Sequence, residues 1–332
     1  MKQIAIIGDG GWGTALGLVL HRAGHRVRIW GPFPEYIQRV RERRENADYL
    51  PGVPLPVELE WTADREEAVN GARVVVLAVP TKYVGSALPP FADLIPRSAL
   101  FVSVAKGLDA ATHRRMTTVA EEIFGLGPVA ALSGPSFATE VAKGLPAAVT
   151  IACSDQARAD ALQAVFNGRS FRVYTSDDPV GVELGGALKN VIAVAVGASD
   201  GLGLGHSASA ALITRGLAEV TRLGVALGAQ AATFAGLSGM GDLVLTCTSR
   251  LSRNYTVGER IGRGEKIGEI LAGMKQVAEG VNNCVIARDL AARLGVEAPI
   301  TREISAVLHE GKDPRAAVAS LLAREPRPER DG

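Results

Sequence analysis

Of the 332 residues, Lys189 is the one least matched to its surroundings. It stands in Leu184-Gly185-Gly186-Ala187-Leu188-Lys189-Asn190-Val191-Ile192-Ala193-Val194-Ala195-Val196, a run that reads as a helix apolar on nearly every side. Lysine is seldom buried without a partner. A desolvated ammonium releases its proton more readily, which suits a general acid or base. The plainer alternative is a lysine at a helix edge whose head reaches water. Other polar islands interrupt apolar sequence. Ser103-Val104-Ala105-Lys106-Gly107 sets a lysine just past a buried strand, at the sheet end where ligands bind. Ser133-Gly134-Pro135-Ser136 ends another strand and offers backbone N–H groups and hydroxyls. In Gly239-Met240-Gly241-Asp242 a lone carboxylate either matches the charge of Lys189 or caps the next helix. Ser252-Arg253-Asn254 combines planar guanidinium donors with two short polar side chains, a pattern suited to an anion. An isolated Arg-Asn pair is, equally, ordinary surface.

These groups suit carbonyl reduction if a hydride donor is present, because the developing alkoxide needs a proton. The N-terminus provides for the donor. Gly8-Asp9-Gly10-Gly11-Trp12-Gly13 fits G-x-G-x-x-G. The first glycine permits the turn, the second admits a pyrophosphate close to the backbone, and the third lets helix and sheet pack closely. Free N–H groups at the helix start then favour the negative charge. The loop follows a strand and opens a helix, Trp12 to Ala23, in which Ala15, Leu16, Val19, Leu20 and Ala23 share one face. A second strand ends at Trp30. An NAD-selective site has an acid at that strand's end, about 20 residues past the loop, for the ribose 2′-hydroxyl. Trp30-Gly31-Pro32-Phe33 holds none, and the first carboxylate is Glu35. Cofactor choice therefore stays open between NAD and NADP, with a lean to NADP. Arg39, Arg41, Arg43 and Arg44 are within approach of a 2′-phosphate, or else form a solvated face.

The elements around these residues follow a simple order. Strand candidates are Gln3–Gly8, Arg26–Trp30, Arg73–Val79, Leu100–Val104, Val129–Leu132 and Ala147–Ala152, several of them unbroken apolar runs typical of a sheet covered on both faces. Helical spacing lies between them, so the first half is an α/β doubly wound, Rossmann-type sheet. From about Pro179 alanine- and leucine-rich stretches take over: Pro179–Ala198, Ser207–Leu227, Asn282–Leu294 and Thr301–His309. The expected division is a dinucleotide-binding domain at 1–180, an all-helical substrate and dimerisation domain at 181–323, and a disordered tail at 324–332. A formal charge of +1 argues against nucleic acid or an anionic membrane as the main partner. No unbroken apolar stretch approaches the roughly 20 residues of a membrane helix, and Ile4–Ile7 is too short for a signal peptide. Three separated cysteines suit a reducing cytosol, and five scattered histidines give no metal-ligand spacing. A cytoplasmic protein without a metal is expected.

Taken together, these segments resemble the bacterial NAD(P)-dependent glycerol-3-phosphate dehydrogenases from about residue 3 to residue 320. The likeness rests on Trp12-Gly13-Thr14-Ala15-Leu16, Asn46 with Tyr49-Leu50-Pro51-Gly52, Lys106-Gly107 and Ser133-Gly134-Pro135-Ser136-Phe137-Ala138. It continues through Leu188-Lys189-Asn190, Leu237-Ser238-Gly239-Met240-Gly241-Asp242-Leu243, Ser252-Arg253-Asn254 and Val277-Ala278-Glu279-Gly280. The resemblance implies interconversion of sn-glycerol 3-phosphate and dihydroxyacetone phosphate, feeding phospholipid synthesis, by a homodimer. It makes Lys189 the proton acceptor in oxidation, with Lys106 and Asp242 as its catalytic company. Lys106, Gly134, Ser136, Lys189, Asn190, Asp242, Ser252, Arg253 and Asn254 then line the substrate. Gly8, Gly10, Gly11, Trp12, Gly13, Tyr49, Lys106, Ala138, Arg253, Val277 and Glu279 approach the cofactor. The chain departs from the family at Gly31-Pro32-Phe33, where a basic residue is frequent, and at Gly11, where serine is. The competing readings are a dehydrogenase of a 2-oxo or 3-hydroxy acid and a non-catalytic NAD(P) sensor.

Overall fold

A computed structural model describes residues 1–274, 278–326, 328 and 329. The strands are β1 (Gln3–Ile7), β2 (Arg26–Trp30), β3 (Glu60–Thr62), β4 (Val74–Leu77), β5 (Leu100–Ser103), β6 (Ala130–Ser133), β7 (Ala147–Ala152) and β8 (Phe171–Ser176). They make one sheet in the order β3-β2-β1-β4-β5-β6-β7-β8. The chain leaves β1 toward β2 on one side and later returns to β4 on the other, and ligands bind where strand order reverses in this way. The Rossmann-type reading of the first half holds, with two additions and one reversal. β3 has only three residues, too few to show a period. β8 alternates buried Phe171 and Val173 with exposed Arg172 and Tyr174, the pattern of an edge rather than of a strand covered on both faces. β7 runs antiparallel to β6. The helix between them has five residues, about 7 Å of axial rise, too little to carry the chain back past a strand for a parallel return.

Side chains alternate across the sheet. Ile4, Ile6 and Ile29 join the core on one face. Ala5, Ile7 and Trp30 join that on the other. The helices of this part are α1 (Gly11–Arg22), α2 (Pro34–Arg43), α3 (Arg65–Val69), α4 (Thr81–Ala87), α5 (Met116–Phe124), α6 (Ala138–Ala142) and α7 (Gln156–Phe166). Thereafter the described residues hold helices and no strand: α8 (Pro179–Gly201), α9 (His206–Ala226), α10 (Ala231–Phe234), α11 (Asp242–Cys247), α12 (Arg253–Gly262), α13 (Ile267–Ala272), α14 (Glu279–Leu294), α15 (Pro299–His309) and α16 (Pro314–Leu322). The chain divides into compact units at Met1–Glu183 and Leu184–Gly332, a break that falls inside α8. Of the tail at 324–332, residues 327 and 330–332 lie outside the described residues. Arg324 pairs with Glu297 at 2.9 Å.

By length and composition α8 would pass for a membrane span, with a mean hydropathy of 1.4 over its most apolar stretch. That stretch is 94% buried within the protein, as befits the central helix of a packed core. In the second unit its neighbour is α12, and the two meet through glycine. A Cβ on Gly197 or Gly201 would overlap the carbonyls of Tyr255 or Glu259, and one on Gly258 or Gly262 those of Val194 or Ala198. Each helix carries its glycines four residues apart, so backbone lies on backbone as in small-xxx-small crossings. A further device holds α15. Its N-cap is Ala298, which has no side-chain acceptor. Glu219 of α9 replaces it, accepting from the N–H groups of Ile300 at 2.9 Å and Thr301 at 2.8 Å.

Candidate active site

In the first unit the glycine loop sits between β1 and α1. Gly8 has φ +126°, and a Cβ there would lie 2.6 Å from the Ala78 carbonyl atoms. A Cβ on Gly13 would overlap the Gly8 carbonyl oxygen, so this glycine lets α1 start against the strand. Gly11 has the Tyr49 carbonyl oxygen 2.5 Å from its Cβ position and the Ala138 Cβ at 3.9 Å, which brings three expected cofactor residues together. Gly10 differs, since its Cβ position has no atom within 4 Å. Nothing in the protein's own packing demands glycine there, and the open space suits a pyrophosphate approaching α1's unpaired N–H groups. Trp12 Nε1 is buried without a partner. The residues present therefore fit a dinucleotide.

Asn46 fastens this loop, and sequence reasoning gave it no site role. Fully buried, it donates to the Asp9 carbonyl oxygen at 2.8 Å and to Thr14 Oγ1 at 2.7 Å, and accepts from the Tyr36 hydroxyl. The local partner of its side chain is the Tyr49 N–H, and the three that fasten the loop lie 10 to 37 residues away. Farther along the sheet end, Lys106 Nζ donates to the Gly134 carbonyl oxygen at 3.1 Å, and Ser136 Oγ to the same oxygen at 3.0 Å. Gly134 has φ +147°, with the Val149 Cα 2.8 Å from its Cβ position. Those three expected residues form one cluster.

The second unit holds the other cluster. Lys189 is 5% exposed and Asp242 1%; their side chains form a buried ion pair. Thr246 Oγ1 accepts from Lys189 Nζ at 2.7 Å and donates to the Asp242 carbonyl oxygen at 2.6 Å. Lys189 is thus buried and partnered, and Asp242 meets it rather than capping α11. Two glycines make the meeting feasible. A Cβ on Gly185, one turn before Lys189, would lie 2.6 Å from the Ser238 carbonyl oxygen, and one on Gly239 would overlap that of Phe234. Leu237–Gly241 is a π-helical turn, a form found often at functional sites, and it delivers Asp242 directly to α11. Thr246 was missed because Gly239-Met240-Gly241 reads as a loop. Once α11 is recognised, Asp242 and Thr246 are four residues apart on one face. The adjoining Cys247 is buried too, and burial pushes its thiol up to about 12 against the opposing pull of Lys189.

The Ser252-Arg253-Asn254 triplet opens α12. Ser252 Oγ accepts from the Tyr255 N–H at 3.2 Å, which makes it the N-cap. Asn254 donates to Asn190 Oδ1 at 2.9 Å and accepts from the Gly280 N–H at 2.9 Å, joining α8, α12 and the start of α14. A Cβ on Gly280 would lie 2.5 Å from the Asn190 carbonyl oxygen. Of the triplet, Ser252 and Asn254 are buried and Arg253 is exposed over the residue as a whole, although its charged end is close to protein. Surrounding protein lowers its pKa, and the Glu279 carboxylate opposes that shift. Lys189, Asn190, Asp242, Ser252, Arg253, Asn254 and Glu279 therefore belong to one helical constellation. Val277 lies outside the described residues.

Known proteins resemble this chain in sequence and fold. The chain matches the family model for the N-terminus of NAD-dependent glycerol-3-phosphate dehydrogenase over residues 3–159, and that for its C-terminus over residues 178–319. A glycerol-3-phosphate dehydrogenase (NAD(P)+) of Citrifermentans bemidjiense is 49% identical over 328 residues, 97% of either chain. Its counterpart in Geobacillus kaustophilus is 48% identical over 334 residues, 100% of this chain and 97% of that one. The crystal structure of glycerol-3-phosphate dehydrogenase from Coxiella burnetii, 40% identical, superposes with a TM-score of 0.93 over 97% of this chain and 99% of the other.

Proposed function

Because the chain belongs to the NAD-dependent glycerol-3-phosphate dehydrogenase family, we propose that it interconverts sn-glycerol 3-phosphate and dihydroxyacetone phosphate, using NAD(H) or NADP(H), and so supplies glycerophospholipid synthesis. The observation that carries the chemistry is the buried Lys189 ammonium, aimed by Asp242 and Thr246. A nicotinamide, when bound, supplies or receives the hydride. In ketone reduction Lys189 gives a proton from Nζ to the carbonyl oxygen; in alcohol oxidation it takes one back. Asp242 and Thr246 hold Nζ in position, which lowers the entropy lost when the reacting atoms align. In the first unit Lys106, with Gly134 and Ser136 beside it, offers a cation at the sheet end. Asn190, Ser252 and Asn254 are engaged in fixing α8 and α12. Their contribution to substrate binding is to set the helix start from which Arg253 meets the phosphate, a place where the helix dipole also favours an anion. In the first unit the glycines 8, 10, 11 and 13, with Trp12, Tyr49 and Ala138, hold the cofactor. The family resemblance supports a cytoplasmic homodimer, and sedimentation of the purified chain tests the dimer.

Oxidation of NADH and NADPH against dihydroxyacetone phosphate, dihydroxyacetone and a panel of 2-oxo acids tests the reading. Turnover is expected with dihydroxyacetone phosphate. Preference for an oxo acid would replace the assignment with the related dehydrogenase, and no turnover would favour a sensor. Arg253→Ala is expected to raise KM for dihydroxyacetone phosphate about 10- to 100-fold, the worth of one or two hydrogen bonds to a charged group. KM for dihydroxyacetone, which lacks the phosphate, stays near the parent value. Equal increases for both substrates would remove Arg253 from the phosphate site.

A further inference from the structure

Asp9, the residue between the first two glycines of the loop, has no part in the chemistry assigned to Lys189 or in the cradle formed by the glycines. It is half-buried, yet its Oδ2 is shielded from solvent and has no hydrogen-bond partner. A carboxylate oxygen in that condition is costly to the fold, and its pKa rises to about 6 through burial, which its own backbone N–H opposes. At pH 7.5 it is still mostly ionised. Nothing in the loop's folding calls for it, because Asn46 secures the loop through the Asp9 carbonyl oxygen and leaves the side chain aside.

The position of that carboxyl group gives it a purpose. A Cβ built on Gly31 would overlap Asp9 Oδ2 and lie 2.6 Å from Asp9 Cγ. Gly31 is the first residue past β2, and an acid at the end of β2 is the usual holder of the ribose 2′-hydroxyl in sheets of this kind. The sequence has no acid on β2 or at its end. Asp9 instead brings a carboxyl group across from the loop to the space where such a side chain would begin. The same overlap explains the glycine: any larger residue at 31 would have to displace Asp9.

We propose that Asp9 is the cofactor-selecting residue, its carboxylate accepting the ribose 2′-hydroxyl of NAD(H) and repelling the 2′-phosphate of NADP(H). The arginines considered for a 2′-phosphate have other partners or stand exposed. Arg39 lies over the Tyr36 ring at 5.3 Å and 3.9 Å from Asp48. Arg44 reaches the Val57 carbonyl oxygen at 3.5 Å, and Arg41 and Arg43 are exposed. Arg65 stands over Trp30 at 6.0 Å, but Trp30 belongs to the core on the opposite face of the sheet from Ile29. Gly31 shares the face of Ile29 by strand alternation, as its contact with Ile37 on that side agrees. The titratable neighbours that feel Asp9 are Tyr36 and Tyr49, both raised chiefly by burial and further by its charge, so neither offers a cation. Asp9 thus favours NAD(H), against the lean to NADP that the acid missing at the end of β2 suggested.

It rests on the proposed cofactor site, and binding measurements separate the two. Dissociation constants for NADH and NADPH are read by quenching of tryptophan fluorescence, without substrate, for the parent, Asp9→Asn and Asp9→Ala. The parent is expected to bind NADH about tenfold or more tighter than NADPH, the scale of one partly buried like-charge contact. Asp9→Asn keeps an acceptor for the hydroxyl but loses the charge. It should leave NADH within about threefold and tighten NADPH about tenfold. Asp9→Ala should weaken NADH and tighten NADPH, bringing the two together. Removing the unpartnered charge should also raise Tm by a few degrees, so misfolding does not confound the result. A parent that binds NADPH as tightly as NADH overturns the proposal. So does an Asp9→Asn variant in which both constants move together, the mark of a structural role. Failure to bind either nucleotide would instead count against the cofactor site itself.

Discussion

Lys189→Met should lower kcat by about two to four orders of magnitude, the range that one positioned acid–base group contributes, while NADH still binds. Methionine keeps most of the stem's volume and removes the ammonium, so the change isolates the proton. A complication follows from the burial of Asp242, at 1% exposed. Without Lys189 a carboxylate is left in the core unpaired, and breaking such a pair from one side destabilises by about 3–5 kcal/mol. The informative variant therefore combines Lys189→Met with Asp242→Asn. The pair of changes removes both charges and should recover much of the lost Tm, yet remain as inactive as the single variant. Recovery of stability together with activity would show that the ion pair serves the fold alone. Undiminished reduction of dihydroxyacetone phosphate by either variant would remove Lys189 from the chemistry.

The second large effect concerns the glycine contact between α8 and α12. Gly197→Ala or Gly258→Ala places a methyl against a carbonyl oxygen of the facing helix. A rotamer change offers no relief, because the clash is with backbone. Overpacking of this kind costs about 1–3 kcal/mol, sometimes more, and it outweighs the roughly 1 kcal/mol that alanine gains over glycine within a helix. Gly85 of α4 and Gly268 of α13 are the controls: their Cβ positions are open within 4 Å, so alanine there should stabilise slightly. Urea unfolding of the four variants separates the cases. Because α12 begins at Arg253, the seam variants should also raise KM for the phosphorylated substrate. If Gly197→Ala proved as stable as Gly268→Ala, close backbone contact would not be what holds these helices.

The reasons some features were legible in the sequence, and others not, are physical. The loop at Gly8–Gly13 and the strands around it announce themselves because a turn, a helix start and a buried strand each leave a short-range signature. Lys189 was visible for a similar reason, as one charge in thirteen otherwise uncharged, mostly apolar positions. β3 and β8 escaped, one for want of length and the other because an edge strand mixes polar residues into its pattern. The partners of these groups were harder still. Asp242 was offered as a mate for Lys189 with helix capping as its rival, and only the folded chain, with Gly185 and Gly239 admitting the approach, decides between them. Thr246, Asn46 and the meeting of Asp9 with Gly31 are contacts between segments distant in sequence. Ser252 and Asn254 were expected to bind an anion, and the folded chain adds that they also bond Tyr255, Asn190 and Gly280. Residue type and spacing named the residues and left their partners undetermined.

The buried thiols have a practical consequence. Cys153 lies in the first unit and Cys247 and Cys284 in the second. Burial raises all three, the latter two to about 12, so almost no thiolate exists at neutral pH to attack an alkylating reagent. Each sulfur becomes reactive only when the structure around it opens. The chain thus carries its own reporters of local unfolding. Timed alkylation followed by peptide mass analysis would read the opening of the sheet unit and of the helical unit separately, in one sample and without an engineered label.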